Sequence, residues 1–374
     1  MSVYVLGASH THFGEHWEKS YRDLMTEAGL GALNDARIPG EDIDAVFVGS
    51  MSTGKFLGQE HIAPLLLDGA GLGDLHIPAT RVEAAGASGG VALRAGIQAI
   101  KSGEASIVVV GGVEKMTDVS DADAQAISCA GIDQEWEHFV GATDAALHAL
   151  MTKAHMRKYG TTREHLAAVA VKNHAHGARN PLAQFQREIT ADLVTGSPVV
   201  ADPLTMFDCA PLSDGAACVV LCNEDVAKAA DRGVAITGSG QASDLLAVHS
   251  RADRTMLRAT EEAARRAYAQ AGISAADVQL AEVHDGFTIQ EIMAIEDLGL
   301  VKRGTGGIAT LEGRTGLEGQ VVVNPSGGLK ARGHPAGATG IAQICELTWQ
   351  LRGDANGRQV SDASIGVAHN TGGT

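Results

Sequence analysis

The run Asn324-Pro-Ser-Gly-Gly-Leu-Lys-Ala-Arg-Gly-His-Pro-Ala-Gly-Ala-Thr-Gly340 surrounds one imidazole, His334, with glycine and proline and almost no bulk. Glycine lets backbone approach a ligand and adopt positive φ, and Pro335 fixes the turn beside the ring. Such a loop can bring a base within reach of a nucleophile or a thioester. The alternative is a Gly-rich lead-in to a helix that carries a structural histidine. A second candidate, Arg81-Val-Glu-Ala-Ala-Gly-Ala-Ser-Gly-Gly90, runs from an extended segment into a helix. Small residues there expose backbone N–H groups at a helix N-terminus, where developing negative charge is stabilised and a nucleophile is commonly mounted. Its centre, however, is Gly86, and the nearest hydroxyl is Ser88; a packing turn is the competing reading. A third segment, Glu282-Val-His284-Asp-Gly-Phe-Thr288, begins at a strand end, where ligands sit in open α/β sheets. His369 closes a further predicted strand. Three segments that each deliver a histidine beside a turn are more specific than any one of them.

The elements that position these segments alternate as α/β. Apolar runs bounded by glycine predict strands over 3–7, 45–49, 106–111, 216–221, 235–239, 280–284, 321–323 and 364–369, several of them buried on both faces. Three-to-four spacing predicts helices over 21–36, 89–102, 161–175, 256–271, 290–298 and 338–351. A long helix, a small-residue turn and a strand occur near Leu24–Val48 and again near Thr260–Val283, which points to two fused α/β halves, 1–232 and 233–374. The stretch from about 113 to 200 has fewer strand runs and reads as an insertion in the first half.

Composition narrows the function. Hydrophobic residues make up 45% and charged residues 20% of 374, with no apolar run of membrane-spanning length, so a globular protein is expected. The N-terminus has no basic region before an apolar core, which predicts a cytoplasmic protein. A formal net charge of −16 argues against nucleic acid as a partner. The five cysteines are odd in number and lie in apolar contexts, as free thiols in a reducing compartment would. His10, His12 and His16, and the pair His174 and His176, have spacings that a metal can use. Neither group has a cysteine or an acidic ligand at a suitable spacing, and both stretches read as solvated turns, so no metal is expected. No Walker A or Gly-x-Gly-x-x-Gly signature is present.

In this order and at these separations, together with Lys172-Asn-His174, Asn180-Pro181 and Asp208-Cys-Ala-Pro-Leu-Ser-Asp-Gly-Ala-Ala217, the blocks resemble the thiolase superfamily. The branch that fits best is that of the sterol-carrier-protein-type and archaeal-type acetyl-CoA acetyltransferases, and the resemblance covers essentially the whole chain. The resemblance implies duplicated βαβαβαββ halves in a five-layer α/β/α/β/α sandwich, with an inserted loop domain. His334 then matches the base that activates the nucleophilic cysteine and helps form one oxyanion hole. His284 matches the residue that holds a catalytic water. Gly372, with the N–H at position 86, matches a second oxyanion hole, and Asn370 stands where many relatives carry an acid–base cysteine. Ser326, Gly327 and Gly328 are the expected coenzyme A contacts. The substrate is expected to be a coenzyme A thioester, with no resident cofactor. The resemblance also implies a homodimer or homotetramer and, for archaeal-type relatives, a separate small zinc-ribbon/OB-fold partner. The phosphates of coenzyme A would need a local basic patch, for which Lys153, Arg157, Lys158 and Arg179 are candidates, or that partner.

Two positions depart from the pattern. Relatives have Cys-Ala-Ser-Gly-Gly where this chain has Gly86-Ala-Ser-Gly-Gly90, and often Cys where it has Gly286. Gly86 admits three readings. One is a Cys-to-Gly change made in an otherwise ordinary acetyltransferase. Another is an enzyme that works on C–C bonds without an acyl-enzyme, as a retro-aldolase or decarboxylase does. The last is a non-catalytic acyl-CoA-binding subunit. Relatives also continue through another strand beyond Thr374.

Overall fold

The computed structural model describes residues 2–374. The chain divides into two compact units. The first comprises the chain to Ile127 with Leu212–Ser239 and His334–Ala355, and the second comprises Ser128–Pro211, Gly240–Gly333 and Asn356–Thr374. Each unit thus draws on residues from both sides of the expected junction at 232.

The first unit is built on a six-stranded sheet. Its strands are β1 (Val3–His10), β2 (Ala45–Gly49), β3 (Ala79–Val82), β4 (Ile107–Glu114), β7 (Gly215–Asn223) and β8 (Val234–Ile236), ordered β3-β2-β4-β7-β1-β8. β5 (Val199–Ala201) and β6 (Leu204–Thr205) form a hairpin in the second unit. β2 runs parallel to β3 and β4, whereas β7 is antiparallel to β4 and β1. Every residue of β4 is buried, as its run Ile-Val-Val-Val-Gly-Gly-Val requires of a strand covered on both faces. Alternate side chains divide between two cores. Ile107, Val109 and Val113 join Leu24, Met25, Ala28 and Ala32 of the helix Tyr21–Ala36. Val108 and Val110 join Leu93, Ile97 and Ile100 of the helix Ser88–Ser102 and Ile341 and Cys345 of the helix Ala336–Arg352. The period of two along one strand therefore places these two helices, which carry the candidate loops at their N-termini, on one face of the sheet.

The second unit holds a parallel three-stranded sheet, β10 (Val322–Val323), β9 (Leu280–Glu282) and β11 (Gly366–Ala368), in that order. β9 follows the helix Arg258–Ala271 and the one-turn helix Ala275–Asp277, just as β2 follows Tyr21–Ala36 and Gly40–Asp42. The repeated motif read from the sequence is thus present as helix, single turn and strand in each unit. Beyond the predicted elements, the segment after 113 contributes a 16-residue helix, Asp144–Tyr159. Two expectations fail. His10 is not in a solvated turn; it ends β1, is buried, and packs 5.0 Å from the Phe13 ring and 5.3 Å from that of Trp349. His174 and His176 lie buried on the helix Arg163–Gly177, where their aromatic bodies fill core space. Burial pushes both imidazoles down, to about 4 and about 3, so they are neutral packing groups at pH 7.

Candidate active site

Gly86 and His334 belong to the first unit; His284, Ser326, Gly327, Gly328, Asn370 and Gly372 belong to the second. In the first unit, β3 leads through a tight turn, Ala85–Ala87, into the helix Ser88–Ser102. Ala85 has φ 47°, a left-handed conformation uncommon outside glycine, and Gly86 beside it is buried. Ser88 cannot stand in for a nucleophile at 86 without dismantling this turn. Its hydroxyl donates to Ala85 O at 2.7 Å and accepts from Ala84 N–H at 2.9 Å.

His334 lies two residues before the helix Ala336–Arg352. Its backbone N–H donates to Ser213 Oγ at 2.9 Å, and its Nδ1 lies 2.7 Å from Thr339 Oγ1. The threonine hydroxyl has a single proton and gives it to Pro335 O at 3.1 Å. With that proton directed at Pro335 O, Thr339 accepts from Nδ1–H, an arrangement that puts the imidazole lone pair on Nε2. Thr339→Val keeps the volume and removes the acceptor. With about 1 kcal/mol of orientation lost, kcat should fall about fivefold to tenfold, as steady-state assay of an active form would show.

Three glycines bring the two loops together. A Cβ on Gly89 would meet Gly337 O at 2.7 Å, one on Gly112 would meet the same carbonyl at 2.2 Å, and one on Gly337 would meet Gly49 O at 2.5 Å. The clashing atoms are backbone, so no rotamer relieves them. Glu114, at the end of β4, completes the joint by accepting from Ser50 Oγ, Met51 N–H, Ser52 N–H and Gly337 N–H. Burial dominates and holds its carboxyl above the usual range despite these donors. Gly112→Ala should cost at least about 1–3 kcal/mol and displace the His334 helix. Thermal denaturation should show the loss of stability.

In the second unit, His284 follows the end of β9. Its N–H donates to His369 Nδ1 at 3.5 Å, and His369 Nε2 lies 2.9 Å from Thr260 Oγ1. An imidazole that accepts at Nδ1 is neutral, in keeping with burial that pushes His369 down to about 4. Asn370 follows on the same strand end, and Gly372 is exposed. A Cβ on Gly286 would lie 3.6 Å from His284 Nε2 and 2.8 Å from Gln290 Oε1, which accepts from Phe287 N–H at 3.1 Å and would have to shift. The Ser326 hydroxyl is committed to Glu282 Oε2 at 2.7 Å, and Arg332 Nη1 lies 3.2 Å from both. Gly327 and Gly328 have φ 100° and 62°, so glycine is required at each. The basic residues Lys153, Arg157 and Lys158 line a groove with His249 and Arg254, and Arg179 is not among its lining residues. Lys153 and Lys158 are paired with Asp202 and Asp253, which weakens this patch as a phosphate site. Cys209 is half-buried, and burial pushes its thiol up to about 12, unsuited to nucleophilic work. Among the described residues, no cluster of three metal-ligating side chains is found, and no helix is long and apolar enough to cross a membrane.

A mixed α/β scaffold, with one histidine loop leading into a buried helix of the first unit, is the class of architecture that thiolases have. The chain belongs to the thiolase family: the thiolase N-terminal domain matches residues 3–225 and the thiolase C-terminal domain-like family matches residues 240–374. It is similar to the acetyl-CoA acetyltransferase of Methanothermobacter thermautotrophicus, with 54% identity over 373 residues covering 100% of this chain and 96% of that one. It is also similar to sterol carrier protein 2 of Homo sapiens, with 35% identity covering 99% of this chain and 70% of that one. Among solved structures, the Ltp2-ChsH2(DUF35) aldolase superposes with a TM-score of 0.86 at 25% identity, covering 100% of this chain and 95% of that one. Human mitochondrial 3-ketoacyl-CoA thiolase in complex with CoA superposes with a TM-score of 0.73 at 21% identity, covering 99% and 95%, a likeness of fold.

Proposed function

We propose that the chain carries the machinery of an acetyl-CoA C-acetyltransferase, for Claisen condensation and thiolytic cleavage of 3-oxoacyl-CoA, in a form whose acyl-accepting position is Gly86. The observation that carries this reading is the His334 loop, its imidazole Nδ1 held at Thr339 Oγ1 and its helix packed through Gly337 against Gly89, beside the turn that holds position 86. With cysteine at 86, Nε2 takes the thiol proton and the thiolate attacks the 3-oxo carbon. The C2–C3 bond then breaks, the acetyl-CoA enolate takes a proton, and the acyl group remains on sulfur until a second coenzyme A thiol removes it. Backbone N–H groups at 86 and at Gly372 would hold the oxyanions, and His284 a water. Without a thiol at 86 the first covalent bond cannot form.

A second reading rests on the aldolase among the similar structures. A base and an oxyanion hole suffice to split a 3-hydroxyacyl-CoA: the base takes the hydroxyl proton, the C2–C3 bond breaks to release an aldehyde or ketone, and the enolate takes a proton at C2 to leave the shorter acyl-CoA, with no enzyme thiol. Gly86 fits that chemistry as it stands. The two readings separate in one experiment. Gly86→Cys and the unchanged chain are each given acetoacetyl-CoA with coenzyme A, and separately a 3-hydroxyacyl-CoA. Thiolysis only in the cysteine form supports the first reading, carbonyl release by the glycine form supports the second, and binding without turnover in either contradicts both.

The same kinship supports a cytoplasmic homodimer or homotetramer built from sequence halves 1–232 and 233–374, with Ser326, Gly327 and Gly328 contacting coenzyme A. It also supports a separate small zinc-ribbon/OB-fold partner, and the aldolase neighbour's own name couples it to a DUF35 chain.

A further inference from the structure

His284 is followed by a carboxylate that the acyl-transfer chemistry above leaves without a task. Asp285 is fully buried, yet three donors converge on it: Leu329 N–H to Oδ1 at 2.7 Å, Lys330 N–H to Oδ2 at 3.2 Å, and Asn173 Nδ2 to Oδ2 at 2.7 Å. The Gly328 backbone passes so close that a Cβ on it would lie 2.3 Å from Oδ2. Asn173 uses its amide nitrogen a second time, donating to Glu291 Oε2 at 2.8 Å. Glu291 also accepts from Lys172 Nζ at 2.5 Å and from Asn324 Nδ2 at 2.8 Å, while Asn324 Oδ1 accepts from Val283 N–H at 2.8 Å. One buried lattice thus joins the helix Arg163–Gly177, the turn 283–286 and the loop 324–330.

Holding two carboxylates this way is costly. Both accept from a single nitrogen, so their oxygens are no more than 5.5 Å apart (2.7 + 2.8). Burial, and then Glu291 beside it, hold Asp285 well above the usual carboxylate range. A buried like-charge pair is a poor way to gain stability, since hydrophobic groups of the same volume usually serve better. Its geometry, on the other hand, is highly directional. Every oxygen of Asp285 that bonds to backbone bonds to the loop of Gly327 and Gly328, and its own backbone continues directly from His284.

We propose that Asp285, held by Asn173, is a positioning residue that locks the His284 turn to the 326–330 loop, fixing both for one thioester. This rests on the acyl-transfer reading. The backbone turn that carries His284 is thereby set by a neighbour that need not touch substrate, and Asn173 bridges Asp285 to Glu291. Asp285→Asn keeps the shape but offers an NH₂ group to the Asn173 amide, so at least one strut is lost.

Two measurements test this. In the chain as it stands, amide hydrogen exchange at Leu329 and Lys330 should quicken at least about tenfold in Asp285→Asn, while β9 keeps its protection. In Gly86→Cys, adding Asp285→Asn should lower kcat for acetoacetyl-CoA thiolysis about 30-fold, roughly 2 kcal/mol at the barrier, with KM changed less than about threefold. Unaltered exchange, an unaltered kcat, or a loss carried by KM alone would overturn the assignment. If Gly86→Cys is itself inactive, the acyl-transfer reading falls and the exchange result alone decides whether Asp285 is the strut. Should Asp285→Asn fail to fold, Asn173→Ser removes one donor and is read by the same two measurements, with the same outcomes counting for and against.

Discussion

Gly86→Cys should cleave acetoacetyl-CoA with coenzyme A at a kcat/KM about 10³-fold or more above that of the unchanged chain. The size follows from what a covalent nucleophile contributes. Removing the nucleophile of a comparable acyl-transfer triad costs about 10⁶-fold, and binding with oxyanion stabilisation alone retains about 10³–10⁴-fold over water. Two features of the chain favour a thiol at this position. Position 86 lies at the start of a helix whose dipole favours a thiolate, and the turn is kept by Ser88 independently of the residue at 86. The check is a steady-state assay of both forms at equal concentration, with circular dichroism to show that the fold is unchanged. Gly286→Cys added to this form should raise the rate further. A side chain there begins 3.6 Å from His284 Nε2 and restores the thiol that relatives often carry in that turn.

The second large effect is a loss. His334→Ala in the Gly86→Cys form should lower kcat by about 10²–10⁴-fold, the usual worth of a positioned general base. The melting temperature should move by only a few degrees. The ring is half-buried, and the helix that follows is held independently by Glu114 and by the glycine contacts at 89, 112 and 337. Differential scanning calorimetry beside the activity assay separates loss of chemistry from loss of fold. An Ala variant that keeps its rate would remove His334 as the base.

Much of this is legible in the amino-acid sequence. Central strands such as β4 and β7 announce themselves because a strand buried on both faces has to be apolar at every position. The Gly-His-Pro loop is legible because glycine and proline restrict φ locally, whatever the rest of the chain does. The helix Asp144–Tyr159 was hidden because its inward face includes His148, Thr152 and His155, which a hydrophobic pattern counts as outward. His174 and His176 misled for the same reason: a neutral imidazole packs as an aromatic, and sequence does not record protonation. The strand β3 was missed because it is only four residues long and half-buried. What sequence could not show at all is long-range contact. Nothing near Gly89 says that its missing Cβ makes room for the carbonyl of residue 337, and nothing near Asp285 says that its partners lie at 173 and 329.

The most direct test of the central claim is intact-protein and peptide mass spectrometry of Gly86→Cys after brief exposure to acetoacetyl-CoA. One acetyl group on the peptide that carries residue 86, absent when His334 is also replaced by alanine, is the predicted result. No adduct at that peptide, or an acetyl group on Cys209 instead, would contradict it.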